Sequence, residues 1–175
     1  MIHKALSYAG KVWEFSTHAT GNTEALWTRD GGNIVIAFRA TDSFSDWIDN
    51  FSTGSIYRAY AGCKVHRRTA GEVEHILDKI PLDKDQKYLV TGHSKGGRAA
   101  WLAFMNLEAR GYSVTGYAFG APKVGPNSKE ERGFVFYENS LDFAPSWPWW
   151  WKNNGPSIKL KSIGHSLNAY SEVAL

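Results

Sequence analysis

The sequence predicts an α/β protein: one compact domain with a largely parallel central sheet, helices on both faces and an antiparallel N-terminal edge. Three observations predict it. Through the middle of the 175-residue chain, β-rich runs alternate with helix-patterned runs, the order that builds a parallel sheet with helical crossovers. Near the N-terminus, Asp30-Gly31-Gly32-Asn33 separates two β-rich runs, a turn signal that makes this edge antiparallel. At the centre, a glycine-flanked serine stands between a strand run and a helix run, in Thr91-Gly92-His93-Ser94-Lys95-Gly96-Gly97.

The elements follow in order. Residues 13–17 and 25–29 read as short strands. Ile34-Val35-Ile36-Ala37-Phe38 is a nearly continuous apolar run and suits a central strand buried on both faces. From about 67 to 80, Ala70, Val73, Ile76, Leu77 and Ile80 recur at three and four, as on one face of a helix, until Pro81 stops the run. Residues 88–91 are a strand, and 98–110 an Ala- and Leu-rich helix ended by Gly111. Residues 114–119, 134–137 and 158–160 supply three more strands. No repeat, low-complexity run or long linker divides the chain, so a single domain over residues 1–175 is expected.

Composition narrows the function classes. With 43% apolar and 21% charged residues, the chain is globular rather than disordered. A net charge of +3, carried by scattered lysines and arginines, argues against nucleic acid as a partner. The single cysteine, Cys63, excludes an internal disulfide. No apolar leader follows Met1 and no run of 18 apolar residues occurs. The expectation is therefore a soluble protein, cytoplasmic as synthesised, with export by a route that reads no cleavable signal left open.

The G-x-S-x-G turn carries the chemistry. A serine hydroxyl attacks well when it projects from a sharp, strained strand-to-helix turn, and side chains at Gly92 or Gly96 would collide with the adjacent strand and helix. The helix N-terminus also brings backbone N–H groups to the point where negative charge develops. His93 adjoins the serine on the same turn, which suits a packing or hydrogen-bonding role and not that of the base.

A nucleophile of this kind is followed along the chain first by an acid and then by a histidine. Of six histidines, only His165 lies beyond Ser94, in the loop Ile163-Gly164-His165-Ser166. The carboxylates between them are Glu108, Glu130, Glu131, Glu138 and Asp142. Glu108 falls on the helix after the nucleophile, and Glu130 and Glu131 in a charged loop. Asp142 follows a strand in a loop stiffened by Pro145 and Pro148 and is the first choice; Glu138 is the alternative.

Taken together, these segments resemble the class 3 lipase family, the fungal triacylglycerol-lipase type of α/β-hydrolase, from about residue 33 to 170. Val35-Ile36-Ala37-Phe38-Arg39-Ala40-Thr41-Asp42-Ser43 is similar to the family's strand ending in F-R-G-T or F-R-G-S, and Asp46-Trp47-Ile48-Asp49-Asn50 to its short lid segment. Lys64-Val65-His66, Gly92-His93-Ser94-Lys95-Gly96-Gly97 and Phe119-Gly120-Ala121-Pro122-Lys123-Val124-Gly125 continue the match, as do Asn139-Ser140-Leu141-Asp142-Phe143-Ala144-Pro145 and His165 with Tyr170 five residues on. The resemblance implies a carboxylic ester hydrolase, lipase- or phospholipase-like, working through an acyl-enzyme. Ser94, Asp142 and His165 would form its triad, Thr41 and the Lys95 N–H its oxyanion hole, and Phe44, Trp47 and Ile48 lie in its lid. The spacing of those lid residues equally fits a helix packed on the core. The sequence departs from the family at Ala40, where glycine is usual, at Lys95, where leucine is common, and in a compressed stretch from Asp142 to His165.

Ser146-Trp147-Pro148-Trp149-Trp150-Trp151-Lys152 follows the acid loop directly. Either Trp149 and Trp150 belong to an exposed apolar patch that seats transiently on a lipid surface, or the tryptophans roof a small core. The expected partner is an acyl ester, lipid first. No metal or organic cofactor is implied. A non-catalytic membrane-associating protein on a hydrolase scaffold, or an esterase or acyltransferase for non-lipid esters, are the alternatives.

Overall fold

The computed structural model describes residues 1–12, 17–40, 57–60, 63–126, 132–151, 155 and 157–174. Helix α1 (Ile2–Lys11) precedes strands β1 (His18–Thr20), β2 (Thr23–Asp30) and β3 (Asn33–Ala40). Then come β4 (Tyr57–Tyr60), β5 (Cys63–His66), α2 (Arg67–Leu77), β6 (Lys87–His93) and α3 (Lys95–Ala109). Strands β7 (Ser113–Phe119), β8 (Phe134–Ser140) and β9 (Ser157–Ile163) follow, with 3₁₀ turns at Ala144–Ser146 and Leu167–Ala174.

Seven strands form the main sheet in the order β1-β2-β3-β6-β7-β8-β9. β1, β2 and β3 pair antiparallel, and every pairing from β3 to β9 is parallel. β4 and β5 make a separate antiparallel pair. The expected parallel sheet with an antiparallel N-terminal edge is therefore present, and it is that of an α/β-hydrolase.

Alternation along the central strands assigns the two faces. Ile34, Ile36 and Phe38 of β3, with Tyr88 and Val90 of β6, pack against Ala70, Val73, Ile76 and Leu77 of α2 and the apolar side of α3. Val35 and Leu89 point the other way, into a smaller cluster with Ala5 and Ala9 of α1, Phe119, Tyr137 and Tyr170. Helices cover both faces, as expected.

Five local results differ from the sequence expectation. Helix α1 was not among the expected elements, although Ile2, Ala5, Leu6 and Ala9 recur at three and four along the face that packs on the smaller cluster. β1 and the β4–β5 pair were also not expected, each being only three or four residues long. Helix α2 ends at Leu77 rather than near 80: the Lys79 and Ile80 N–H groups bond to Ile76 and Leu77 three residues back, a tightening that Pro81 favours by excluding helical geometry before it. Helix α3 begins at Lys95, not 98, because Gly96 and Gly97, poor helix formers, are there for close packing. Of the expected strand at 13–17, residues 13–16 lie outside the described residues.

Candidate active site

The parallel strands deliver their C-terminal ends to one edge of the sheet, where crevices form in such folds. Ser94 follows β6 directly, at φ 55 and ψ −128, a left-handed conformation that costs a non-glycine residue about 1–3 kcal/mol. Its N–H donates to the Phe119 carbonyl at the end of β7, 2.8 Å away, which ties the turn to the neighbouring strand. The glycines on either side permit this. A Cβ on Gly92 would stand 2.3 Å from the Gly96 carbonyl group, and one on Gly96 would stand 2.2 Å from the Phe38 carbonyl oxygen. Neither backbone can give way.

Asp142 follows β8. Leu141, at φ 60, turns the chain there, facing out itself while the next carboxylate points in. The Asp142 side chain is wholly buried, and three donors meet it. Nδ1–H of His165 lies 3.0 Å from Oδ1 and 2.9 Å from Oδ2, the Ala144 N–H 2.9 Å from Oδ1, and the Tyr170 hydroxyl 2.7 Å from Oδ2. Tyr170 holds its proton well above the ordinary phenol range, through burial first and then the hydrogen bond to Asp142, so it remains a donor.

His165 joins the two ends. A carboxylate only accepts, so the ring proton sits on Nδ1 and the neutral ring presents a lone pair at Nε2. The Ser94 hydroxyl donates to that Nε2 across 2.8 Å. Such an arrangement can take a proton from an attacking hydroxyl and hold the resulting imidazolium beside a buried anion. Glu138, the alternative acid, is occupied elsewhere, accepting from Lys159 on β9.

Lys95 opens α3, so its N–H stands at the positive end of the helix dipole next to Ser94. Thr41 and the lid residues Phe44, Trp47 and Ile48 lie outside the described residues. The tryptophan segment divides between the two readings. Trp149 and Trp150 are 74% and 51% exposed, whereas Trp151 is buried with Trp147 packed against it and the Arg98 guanidinium 6.0 Å from its ring. Lys123, itself buried, holds this loop: its Nζ donates to the carbonyls of Trp151 at 2.7 Å and Trp149 at 3.5 Å, and its N–H to that of Trp147 at 2.9 Å. Burial lowers the Lys123 pKa.

Tyr170 and Lys123 carried no assigned role in the sequence. Tyr170 stood out only through its spacing from His165, and nothing in a lone lysine signals that it will gather carbonyls. Among the described residues, no group of three or more His, Cys, Asp or Glu side chains is placed to hold a metal ion, and no helix is long and apolar enough to cross a membrane.

A strained serine at a strand-to-helix turn, a histidine on a loop after the last strand and a buried carboxylate after β8 define an α/β-hydrolase of the nucleophile-elbow class. Within it, the model of the family Lipase (class 3) matches residues 35–135, more than half of the chain, and the chain belongs to that family. It is 32% identical over 101 residues to the secreted mono- and diacylglycerol lipase 1 of Fusarium solani, over 53% of this chain and 30% of that protein. It is 34% identical over 109 residues to a lipase of Rhizopus niveus, over 53% of this chain and 27% of that protein. The chain thus spans less than a third of these curated relatives.

Solved structures agree on the fold. The lipase of Rhizopus microsporus var. chinensis superposes with a TM-score of 0.64 at 24% identity, covering 86% of this chain and 61% of that one. Rhizomucor miehei lipase in its propeptide complex gives 0.61 at 24%, covering 89% and 64%. One expectation is corrected here. The cytoplasmic location does not stand, because the Fusarium solani relative is a secreted lipase, which points outside the cell.

Proposed function

We propose that this chain, a single domain over residues 1–175, is a lipase-like carboxylic ester hydrolase that cleaves acyl esters of lipids through an acyl-enzyme on Ser94. The observation that carries this is the unbroken line from Ser94 Oγ through the His165 ring to the Asp142 carboxylate, with contacts of 2.8 and 2.9 Å. Membership of the class 3 lipase family supports it.

In this reading Ser94 Oγ attacks the ester carbonyl carbon while its proton passes to His165 Nε2. The oxygen that becomes negative is met by the N–H of Lys95 and by Thr41, each such donor being worth about 3 kcal/mol of barrier. His165 returns the proton to the departing alcohol, and the C–O bond of the ester breaks. Water, deprotonated by the same ring, then attacks the acyl-enzyme and releases the fatty acid and free Ser94. Phe44, Trp47 and Ile48 would cover the site as a lid. Trp149 and Trp150, exposed beside the acid loop, would make transient contact with a lipid surface.

The test is turnover of a short-chain nitrophenyl ester together with labelling by a fluorophosphonate. Ser94→Ala should abolish both, and a variant as active as the parent would refute the assignment. Esters of varied chain length and head group then define the substrate.

A further inference from the structure

The loop that carries His165 is held by little packing. Gly164, at φ 108, has open space where a side chain would stand, and Ile163 and Ser166 face solvent. What fixes this loop is polar. Asn139 of β8 donates from Nδ2 to the Gly164 carbonyl at 3.0 Å, and His93, the last residue of β6, donates from Nε2 to the His165 carbonyl at 2.5 Å. Two consecutive carbonyls are thus clamped by side chains from two strands. The His93 ring lies 4.8 Å from that of His165, tilted by 37°, and 5.9 Å from that of Tyr170.

His93 is also peptide-bonded to Ser94. One residue therefore touches both partners of the proton transfer, Ser94 through the chain and His165 through its backbone oxygen. Burial, then the nearness of His165, lowers the His93 pKa to about 4, so at neutral pH the ring is uncharged and has a single N–H to give. It adds no cation beside the imidazolium that His165 becomes.

We propose that His93 is a positioning residue, which anchors the main chain of His165 to the nucleophile turn and so sets the distance between the imidazole and the Ser94 hydroxyl. The proposal rests on the reading of Ser94 and His165 as nucleophile and base. It explains why the ring on this turn is a histidine: an apolar ring would fill the space and leave a loop carbonyl with no donor.

Two substitutions separate donor from volume. His93→Phe fills the space without donating, and His93→Gln keeps an amide donor of similar reach. Since a misplacement of about 1 Å can cost about 100-fold in rate, His93→Phe should lower kcat on a short-chain nitrophenyl ester roughly 10- to 100-fold with KM nearly unchanged. His93→Gln should return kcat to within about threefold of the parent, because the same geometry is restored. A parental kcat in His93→Phe, or equal losses in both variants, overturns the proposal. If His93→Phe does not unfold cooperatively, His93→Asn, whose amide ends short of the carbonyl, takes its place with the same expected loss. A Ser94→Ala variant that kept full turnover would instead sink the reading of the site, which a silent His93 variant leaves standing.

Discussion

Tyr170 donates its hydroxyl to Oδ2 of Asp142 across 2.7 Å, inside the same buried cluster in which Asp142 receives the His165 ring. A carboxylate with no exposed surface depends on every donor that reaches it. Tyr170→Phe removes one of three while keeping the ring against Phe119. The expected outcome is a loss of about 1.5–3 kcal/mol in urea unfolding, the range for a hydrogen bond to a charged group. A roughly tenfold fall in kcat should accompany it as the carboxylate shifts under His165. Parental stability and rate in the folded variant would show that Asp142 does not need this donor.

Gly96 should tolerate no side chain. Its Cβ would stand 2.2 Å from the Phe38 carbonyl oxygen, so Gly96→Ala forces helix α3 away from β3, at a cost of about 3 kcal/mol or more. Gly71, on α2, has nothing within 4 Å of where a Cβ would be, and Gly71→Ala should be neutral or stabilising by up to about 1 kcal/mol. Equal urea midpoints for the two variants would contradict the steric account of the turn.

The tryptophans should separate by burial. Trp149→Ser with Trp150→Ser touches exposed rings, so the urea midpoint should hold within about 0.5 kcal/mol while retention on phosphatidylcholine liposomes falls. Trp151→Ser empties a buried site and should cost about 3 kcal/mol or more. Unchanged liposome retention in the folded double variant would remove the exposed pair from any lipid contact.

Acid should destabilise the fold through two histidines. His66, buried as the N-cap of α2, has a pKa lowered to about 3 by burial and then by the Arg98, Lys95 and Arg68 charges; that of His93 is about 4. The ordinary histidine value is 6.5, so below it the unfolded chain binds these protons and the folded chain does not. The stability they support is whole above about 6.5 and lost as pH falls toward 4 and 3, at about 1.4 kcal/mol per unit for each ring. The urea midpoint should be lower at about pH 5 than at about pH 7.5, and His66→Asn should flatten that dependence. A pH-independent midpoint in the parent would refute it.

Local pattern determined the nucleophile turn and the central strands, because the need for glycine around Ser94 and for unbroken apolar runs is written residue by residue. Chain order singled out His165 as the candidate base, with one histidine beyond the serine. It was not enough for the acid, since Glu138 and Asp142 stand four residues apart on the same side of the serine. Tertiary structure decided which of the two meets the His165 ring: the strand holds Glu138 against Lys159, and the turn at Leu141 swings Asp142 inward to Nδ1. The same is true of the donors from Tyr170, Asn139 and His93, each of which matters through a partner far away in sequence. Periodicity reports what a residue does to its neighbours in the chain, whereas a hydrogen bond between distant loops exists only once the sheet has brought their ends to one edge.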